Sequence, residues 1–340
     1  MRSSPCATLR GDGVENLGLV SGQGGCHSRL QRAPIIHAGP ELPLTVYADS
    51  SVIAALTRDL ADSGQLPTSA QWQRLYGGRT NHVWRVTGGS DAGPVVVKLY
   101  KDSADNPLFP NCPEDEARVL RALEGQGMAP RLLHYTATRL GPCLIYSHLD
   151  GGPWRNDPAA AAVLLRRLHR TTALTGLRSA PDGSKAIEAQ IETILARCAP
   201  SAPEIPRLPA QPVAPSGATC LLHGDPVPGN LIDCGTTLRL IDWQCPAIGD
   251  PCEDIALFLS PAMQIAYRGA PLTPAEEMTF LKSYDLPEIL SRYTRLAPWY
   301  HARSYAYALW QSAQGETTAI ARAQAERTAF EIALERLKKA

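Results

Sequence analysis

The stretch His223-Gly224-Asp225-Pro226-Val227-Pro228-Gly229-Asn230 decides how this chain is interpreted, together with Ile241-Asp242-Trp243 a short segment later. Asp225 and Asn230 lie five positions apart, and Asp242 follows a short apolar run of the kind that forms a strand. This spacing leaves room for a loop, a tight turn and a strand that returns Asp242 to the neighbourhood of Asp225. Taken alone, the His-Gly-Asp segment is also typical of an ordinary turn, and Asp242 of an acid that caps a strand end.

An acid, an amide and a second acid in this order are the groups that phosphoryl transfer requires. The reaction needs a carboxylate beside the attacking hydroxyl and oxygen ligands for magnesium beside the triphosphate, all on one rigid turn. The spacing matches the H-x-D-x-x-x-x-N catalytic loop, in which the Asp receives the hydroxyl proton and the Asn binds magnesium. The sequence therefore predicts ATP-dependent transfer, with Asp225 as the base and Asn230 and Asp242 as magnesium ligands.

The composition argues against several other classes of protein. The chain has 340 residues, and its 33 basic and 33 acidic side chains give a formal net charge of zero, so no field favours nucleic acid or an anionic membrane. No apolar run is long enough to cross a bilayer, and the first residues lack the apolar core of a secretory signal. Nine cysteines without a C-x-x-C pair indicate neither a zinc site nor a disulfide framework. We expect a cytoplasmic protein without nucleic-acid or membrane partners, and the oligomeric state is left open.

Composition and periodicity divide the chain into three parts. Residues 1–45, rich in Gly, Ser and Pro, are predicted to be a poorly ordered extension. Residues 46–150 are predicted to form an ATP-binding lobe with helices and short β-type runs, at 83–86, 95–99, 132–135 and 143–146. Residues 151–340 follow a glycine pair and are predicted to be mainly helical, with the last helices over 273–284, 300–314 and 318–339. The predicted fold class is α+β.

The order of these elements, over roughly residues 70–310, resembles the aminoglycoside phosphotransferase and choline kinase superfamily of small-molecule kinases. The resemblance implies a protein-kinase-like bilobal fold, in which a small five-stranded antiparallel sheet and a helical lobe clasp ATP and magnesium between them. Asp242 is followed by Trp-Gln instead of Phe-Gly, and the sequence has no Ala-Pro-Glu segment, so the activation loop of regulated protein kinases is missing. A small-molecule hydroxyl acceptor is therefore favoured over a protein.

The resemblance also implies how the nucleotide is held. Lys98, the fourth residue of the strand-like run 95–99, would contact the α- and β-phosphates, and Glu116 would pair with this lysine. Glu114 and Asp115 are rivals for the same pairing. A lone lysine near a strand end is ordinarily a solvated charge, and an acid in the first turn of a helix ordinarily complements the helix dipole.

The segment Gly77-Gly78-Arg79-Thr80-Asn81 lies where the family places its phosphate-covering loop. Gly78 would let backbone amides approach phosphate oxygens, and Thr80 or Asn81 would add side-chain donors. A Gly-Gly turn is also common in any β-hairpin, so this segment alone is weakly specific.

Four further residues take their roles from the same resemblance. Tyr146 and His148 fall in the hinge between the lobes, whose backbone would hydrogen-bond adenine. His223 belongs to the catalytic loop, where it would anchor the loop by hydrogen bonding and not transfer the proton itself. Asp254 matches an acid that supports the catalytic loop, and a solvated acid on a helix surface is the equal alternative.

Acceptor specificity is expected in the helical half, where aromatic residues cluster: Trp299, Tyr300, Tyr305, Tyr307 and Trp310. Aromatic faces could box a protonated or quaternary amine, yet the helical spacing of this cluster favours core packing. The acceptor stays open among aminoglycosides, choline or ethanolamine, thiamine-like alcohols and sugars, with a slight preference for choline or thiamine. Two other classes also stay open, a nucleotide-binding pseudokinase and a non-catalytic interaction protein.

Overall fold

The structure is a computed structural model. It describes residues 45–75, 80–90, 93–101, 106–198 and 204–339, with side chains from residue 50. The predicted extension over 1–45 lies outside the described residues except for Thr45. The strands are β1 (Gln71–Arg74), β2 (His82–Thr87), β3 (Val95–Leu99), β4 (Leu132–Thr138), β5 (Gly141–Ser147), β6 (Gly152–Pro153), β7 (Cys220–Leu222), β8 (Leu231–Asp233), β9 (Leu238–Leu240) and β10 (Ala247–Gly249). The helices are α1 (Thr45–Asp62), α2 (Pro113–Ala122), α3 (Pro158–His169), α4 (Ser184–Leu195), α5 (Cys252–Leu259), α6 (Pro261–Arg268), α7 (Pro274–Tyr284), α8 (Pro287–Ala313) and α9 (Ala319–Lys339).

A five-stranded antiparallel sheet in the order β1-β2-β3-β5-β4 forms the N-terminal part of the described chain. Valine-rich β3 lies in the centre and is buried along its whole length, as β-branched side chains favour. On one face of the sheet, Leu56 and Leu60 of α1 pack with Trp84 and Ile145. The other face packs against α2 and joins the larger core of the helical half. This arrangement places the end of β3, with Lys98, beside α2.

The sequence pattern predicts four of these five strands, and β1 was missed. Its residues Gln-Trp-Gln-Arg include one large apolar side chain and alternate between exposed and half-buried positions. β1 is an edge strand whose backbone pairs with β2, with Gln71 opposite Thr87 and Arg74 opposite Trp84. β1 is therefore an extended strand because its backbone pairs with β2, and not because its own residues favour a strand.

Beyond β5 the described chain is mainly helical, with two small antiparallel sheets, β7 with β10 and β6 with β8 and β9. The start of α3 follows its sequence signals, because Asp157 caps the helix by accepting from the Ala160 amide at 2.9 Å and Pro158 occupies the first turn. The predicted start of a helix at Tyr300 is wrong. α8 begins at Pro287 and continues through the buried Pro298, because packing in the core outweighs the roughly 3 kcal/mol that an interior proline costs a helix.

The predicted α+β class, a small antiparallel sheet followed by a mainly helical half, is confirmed by this arrangement. The division at 150/151 stays a prediction. Gly152, just after this division, pairs with Asp233 of β8. Across the described ranges, every helix is too short or too polar to span a bilayer.

Candidate active site

The segment 223–230 forms a tight loop between β7 and β8, and its last residues Pro228–Asn230 form a single 3₁₀ turn. Gly224 has φ of +82°, and a Cβ atom there would lie 2.0 Å from the carbonyl oxygen of Cys245. Only glycine tolerates both the left-handed backbone and this close approach. The loop conformation is therefore built into the sequence at Gly224.

His223 braces this loop from the interior. Its side chain is buried, its Nδ1 accepts from the backbone amide of Asp225 at 3.2 Å, and its Nε2 donates to the Ile241 carbonyl oxygen at 3.0 Å. Burial lowers the pKa of His223, which suits a neutral imidazole with one donor and one acceptor nitrogen. Both nitrogens are thus engaged by backbone, and the ring links the loop to the segment before Asp242.

Asp254 supports the same loop from α5. Its buried carboxylate accepts from the backbone amides of His223 at 2.8 Å and Gly224 at 2.9 Å, and it contacts His169 Nε2 at 3.0 Å. Burial opposes ionisation of this carboxyl, but the hydrogen bonds and the neighbouring histidines outweigh it and lower the pKa of Asp254. Asp254 therefore supports the loop, as one of the two interpretations predicts, and is not a solvated acid on the helix surface.

Asp225 and Asn230 contact each other at the edge of a cavity. The Asn230 Nδ2 donates to the backbone oxygen of Asp225 at 2.9 Å and to its Oδ2 at 3.1 Å, so the amide oxygen of Asn230 is the atom that could bind a metal ion. Burial, and secondly the Asp242 carboxylate, raise the pKa of Asp225 to about 8. A carboxyl that titrates near neutrality is well suited to accept a proton from a hydroxyl.

Asp242 completes the group from the opposite side of the turn. It follows β9, it has a left-handed backbone with φ of +62°, and its carboxylate is 29% exposed. A non-glycine residue in this region carries backbone strain, which is found where a side chain must be aimed at a site. The Asp242 Oδ1 lies 2.5 Å from Lys98 Nζ, so the loop and β3 meet at this carboxylate.

Lys98 lies between two carboxylates, since its Nζ is also 2.5 Å from Glu116 Oε2. Burial alone lowers the pKa of Lys98, but the two acids outweigh it and the pKa is raised. Of the rivals on α2, Glu114 accepts from the exposed Tyr135 hydroxyl at 2.7 Å and Asp115 pairs with Arg118. The structure therefore brings Lys98 together with Glu116.

Tyr100 belongs to this group and was missed by the sequence analysis. Its hydroxyl donates to Glu116 Oε2, and Lys98 Nζ lies 4.9 Å from the centre of its ring. Burial raises the pKa of the Tyr100 hydroxyl well above its usual range, so the hydroxyl keeps its proton and donates a hydrogen bond to Glu116. Tyr100 follows directly after β3 and lies two residues beyond Lys98; this spacing, which places side chains of an extended chain on the same face, was the signal that could have identified it.

The residues of the predicted phosphate loop fall in different places. Gly78 lies outside the described residues, and Thr80 lines the cavity. The Asn81 side chain is buried: its Nδ2 donates to Asn111 and Gln244, and its Oδ1 accepts from Asn111 and from the Lys101 amide. The prediction that the Asn81 side chain donates a hydrogen bond to a phosphate does not fit these contacts, because its amide already donates to Asn111 and Gln244.

The predicted hinge residues lie at and just after the end of β5. Tyr146 is buried and sits opposite Val96 and Leu132 in the sheet. The His148 amide donates to the Pro94 carbonyl oxygen at 3.0 Å, so this N–H is engaged by the protein. That the backbone of this hinge hydrogen-bonds adenine stays a prediction.

The donor set fits a magnesium ion. Mg²⁺ is usually held by one or two carboxylates together with phosphate oxygens and waters, not by an all-protein cage. Asp242 and Asn230 face the same cavity, and within the described ranges no three His, Cys, Asp or Glu side chains form a metal-binding group. The carboxyl groups of Asp225 and Asp242 both line this end of the cavity, where a bound divalent cation would favour their charged forms.

The cavity measures about 530 Å³ and extends from the acids into the helical half. Its aromatic wall contains Phe109, Tyr267, Tyr307 and Trp310. The rings of Tyr307 and Trp310 are stacked with centres 5.4 Å apart, and Phe109 meets Tyr307 edge to face at 5.3 Å. A cavity of this size accommodates a small molecule.

The predicted aromatic cluster on α8 therefore divides into two groups. Tyr307 and Trp310 line the cavity, whereas Trp299, Tyr300 and Tyr305 are buried in the core. Trp299 donates to Glu188, and the Arg303 guanidinium lies over the Tyr300 ring. Core packing was the favoured interpretation, and it holds for these three residues; Tyr307 is buried as well, although it also lines the cavity.

Several polar residues of the cavity were missed by the sequence analysis: Lys101, Asn106, Gln311, Gln314, Glu316 and Arg322. Asn106 donates to the Tyr307 hydroxyl at 3.0 Å, and buried Arg322 lies 3.8 Å from Glu316. They come from distant parts of the chain and share no motif, so the sequence carries no local signal for them.

A buried lysine–glutamate pair beside Asp242, with Asp225 and Asn230 at the edge of an open cavity, is the set of groups that phosphoryl transfer uses. The family model described as "Phosphotransferase enzyme family" (APH) matches residues 71–299. This match spans well over half of the chain, which therefore belongs to the APH phosphotransferase family. No curated protein sequence matches the chain.

Solved structures similar to this chain share its protein-kinase-like fold. A choline/ethanolamine kinase family protein from Mesorhizobium loti is 17% identical with a TM-score of 0.55, covering 84% of this chain and 95% of its own. An ethanolamine kinase from Plasmodium vivax is 16% identical with a TM-score of 0.57, covering 89% and 93%. An amicoumacin kinase solved with AMP-PNP and Ca²⁺ is 14% identical with a TM-score of 0.51, covering 85% and 96%. At these identities the likeness establishes the fold alone.

Proposed function

We propose that this phosphotransferase is an ATP- and Mg²⁺-dependent kinase that moves the γ-phosphate of ATP to a hydroxyl of a small molecule, with Asp225 as the catalytic base. One observation carries the proposal: the single turn after β7 and the end of β9 bring Asp225, Asn230 and Asp242 to the edge of one cavity. The pair of Lys98 and Glu116 lies directly behind Asp242.

Asp225 would orient the acceptor hydroxyl and take its proton as the oxygen attacks phosphorus and the bond from phosphorus to ADP breaks. Its raised pKa of about 8 supports this role, because proton transfer is most efficient when the base titrates near the working pH. Magnesium, held by Asp242 and Asn230, would offset the charge of the phosphates. Lys98, fixed by Glu116, would contact the phosphates of the nucleotide.

The acceptor side favours a small cation. Stacked aromatic rings attract a protonated or quaternary amine. The aromatic wall carries this preference, because Glu316 lies beside Arg322 and Asp242 beside Lys98. Choline, ethanolamine or a thiamine-like alcohol combines such a charge with a hydroxyl. Aminoglycosides carry the same two groups and follow next, and neutral sugars are the least supported.

The deciding experiment is an ATP-consumption screen with Mg²⁺ against choline, ethanolamine, thiamine, aminoglycosides and sugars. We expect turnover with at least one cationic alcohol and a phosphorylated product by mass spectrometry. Thermal unfolding with and without Mg²⁺ and ATP separates the other classes, because a ligand that binds the folded state raises the unfolding temperature. Protection without turnover of any compound would favour the pseudokinase, and no protection would favour the interaction protein.

The cytoplasmic location stays a prediction. The seven cysteines within the described residues carry free thiols, which is compatible with a reducing compartment. Labelling thiols in freshly lysed cells would test it, since oxidised cysteines would point to another compartment.

A further inference from the structure

A buried carboxylate outside the catalytic loop joins the three helices that line the acceptor cavity. Glu326 lies on α9 and is fully buried. One of its oxygens accepts from the Ser260 hydroxyl and from the Ala262 amide at 3.0 Å, and the other lies 2.7 Å from His301 Nδ1. Ser260 caps the start of α6, and His301 belongs to α8.

Each of these helices supplies part of the cavity wall. α6 supplies Met263 and Tyr267, α8 supplies Tyr307 and Trp310, and α9 supplies Arg322, one helical turn before Glu326. Glu326 itself is not among the lining residues. Its contacts therefore act on the shape of the cavity and not on a bound molecule.

The position of α6 also matters for the catalytic loop. A Cβ atom added at Gly229 would lie 2.6 Å from Tyr267 Cδ1, so the Tyr267 ring packs closely on the turn between Asp225 and Asn230. A change at the start of α6 would thus be felt both at the aromatic wall and beside the catalytic loop.

A carboxylate is costly to bury unless hydrogen bonds replace its water. Here a hydroxyl, a backbone amide in the first turn of α6 and an imidazole supply them, and the first turn of a helix favours negative charge. Since these donors come from α8 and from the start of α6, the carboxylate of α9 is satisfied only when the three helices keep this arrangement.

We propose that Glu326 is a positioning residue for the acceptor site, which holds α6 and α8 so that their side chains form the acceptor wall. This inference rests on the proposed kinase function. The inference predicts that Glu326 affects the affinity for the acceptor and not the affinity for ATP. The contacts of Glu326 lie on the helices of the acceptor cavity and not on Lys98, Glu116 or Tyr100.

The test uses the full-length chain and the panel compound with the highest turnover. Glu326→Gln keeps the size of the side chain but cannot accept from all three donors. Losing one net hydrogen bond predicts a rise of about 2- to 10-fold in the acceptor KM, with the ATP KM within about twofold of wild type. Glu188→Gln is the matched control, because this carboxylate joins α4 to α8 through Trp299 and lies away from the cavity; its acceptor KM should not change.

Two further variants keep the inference testable if Glu326→Gln does not fold. Ser260→Ala removes the hydroxyl at the α6 end, and His301→Leu removes the imidazole at the α8 end; both should raise the acceptor KM. His301→Asn, whose amide can replace Nδ1 as donor, should restore it. Hydrogen exchange of the Ala262 amide should accelerate in Glu326→Gln.

The outcomes separate the two claims. If wild type phosphorylates no panel compound, the proposed function fails and this inference with it. If wild type is active while Glu326→Gln, Ser260→Ala and His301→Leu keep its acceptor KM, or shift the acceptor and ATP KM equally, the inference alone is overturned.

Discussion

The two sides of the catalytic loop are built in different ways. On the side of β3, Lys98, Glu116 and Tyr100 are buried, contact one another and reach Asp242 through one short ion pair. On the side of the helices, the cavity is open and lined by half-buried rings such as Trp310, contributed by separate helices. The first side is a fixed cluster of charges, and the second is a surface whose shape depends on helix packing.

This difference indicates which side would determine the affinity for ATP and which the affinity for the acceptor in the proposed reaction. Under the proposed function, the charge cluster would contact the phosphates of the nucleotide, and it is already held in one geometry by its own ion pairs. An aromatic wall on three helices can change one residue at a time without disturbing that cluster. Substitutions on the two sides should therefore separate into effects on ATP and effects on the acceptor.

The largest effect is expected where the two sides meet. Asp225→Asn should lower the rate of phosphoryl transfer by about 10²- to 10⁴-fold, the usual contribution of a general base, while ATP affinity stays within about twofold. Single-turnover rates and nucleotide protection against unfolding measure the two quantities separately. Asp233→Asn at the end of β8 is the control and should keep wild-type activity. Full activity of Asp225→Asn would show that another group takes the proton.

The next effect sharpens the description of the β3 side. Glu116→Gln removes one of the two carboxylates that hold Lys98, and a charge-assisted hydrogen bond is worth about 1.5–3 kcal/mol. We expect the ATP KM to rise about 10- to 100-fold with little change in the acceptor KM. Glu114→Gln is the matched control, since this acid lies on the same helix as Glu116 but contacts the Tyr135 hydroxyl of β4 instead of Lys98. An equal effect of both substitutions would contradict a specific pairing.

A smaller effect is expected on the helical side. Trp310→Leu removes a ring that lines the cavity, and a cation–π contact is worth about 0.5–2 kcal/mol. The acceptor KM should rise by about 2- to 30-fold, and the ATP KM should not change. Tyr305→Phe, which lies on the same helix but is buried in the core, should leave both constants unaltered. If Trp310→Leu raised the ATP KM instead, the two sides would not be independent.

A further effect, measured on the free energy of unfolding instead of on activity, concerns stability against pH. The pKa of Asp225 rises from 3.8 to about 8 on folding, so between these values the folded protein keeps a proton that the unfolded chain releases. This contribution to the free energy of unfolding is complete below pH 3.8 and is lost as the pH rises toward about 8. Asp225→Asn does not titrate, so its unfolding temperature relative to wild type should increase from pH 5 to pH 8 without nucleotide or Mg²⁺. A constant difference would mean that burial does not shift this group.

Part of the candidate site could be predicted from the sequence, because the residues concerned act through their neighbours in the chain. Gly224 and the fixed interval between Asp225 and Asn230 belong to one loop, whose conformation depends on neighbours in the chain. The start of α2 at Pro113 was likewise readable, since a proline and acids in the first turn act through the helix itself. Where a residue acts through its immediate neighbours, the pattern is sufficient.

Other features depend on contacts between distant segments. Asn81 was predicted as a phosphate donor, but Asn111 and Gln244 occupy its amide. Tyr100 and Glu326 carry no motif, and their importance comes from partners that the fold brings to them. β1 and the passage of α8 through Pro298 were missed for the same reason, because neighbouring elements stabilise them.

The polar residues of the turn could be predicted from the sequence by itself. Gly224, Asp225 and Asn230 lie in one short loop, and Asp242 follows at the end of β9. The tertiary structure alone decided which acid pairs with Lys98, which aromatic residues face the cavity and what holds the helices of its wall. The physical reason is that backbone conformation follows from short-range sterics and hydrogen bonds. Which side chains meet across the interior depends on how whole elements pack.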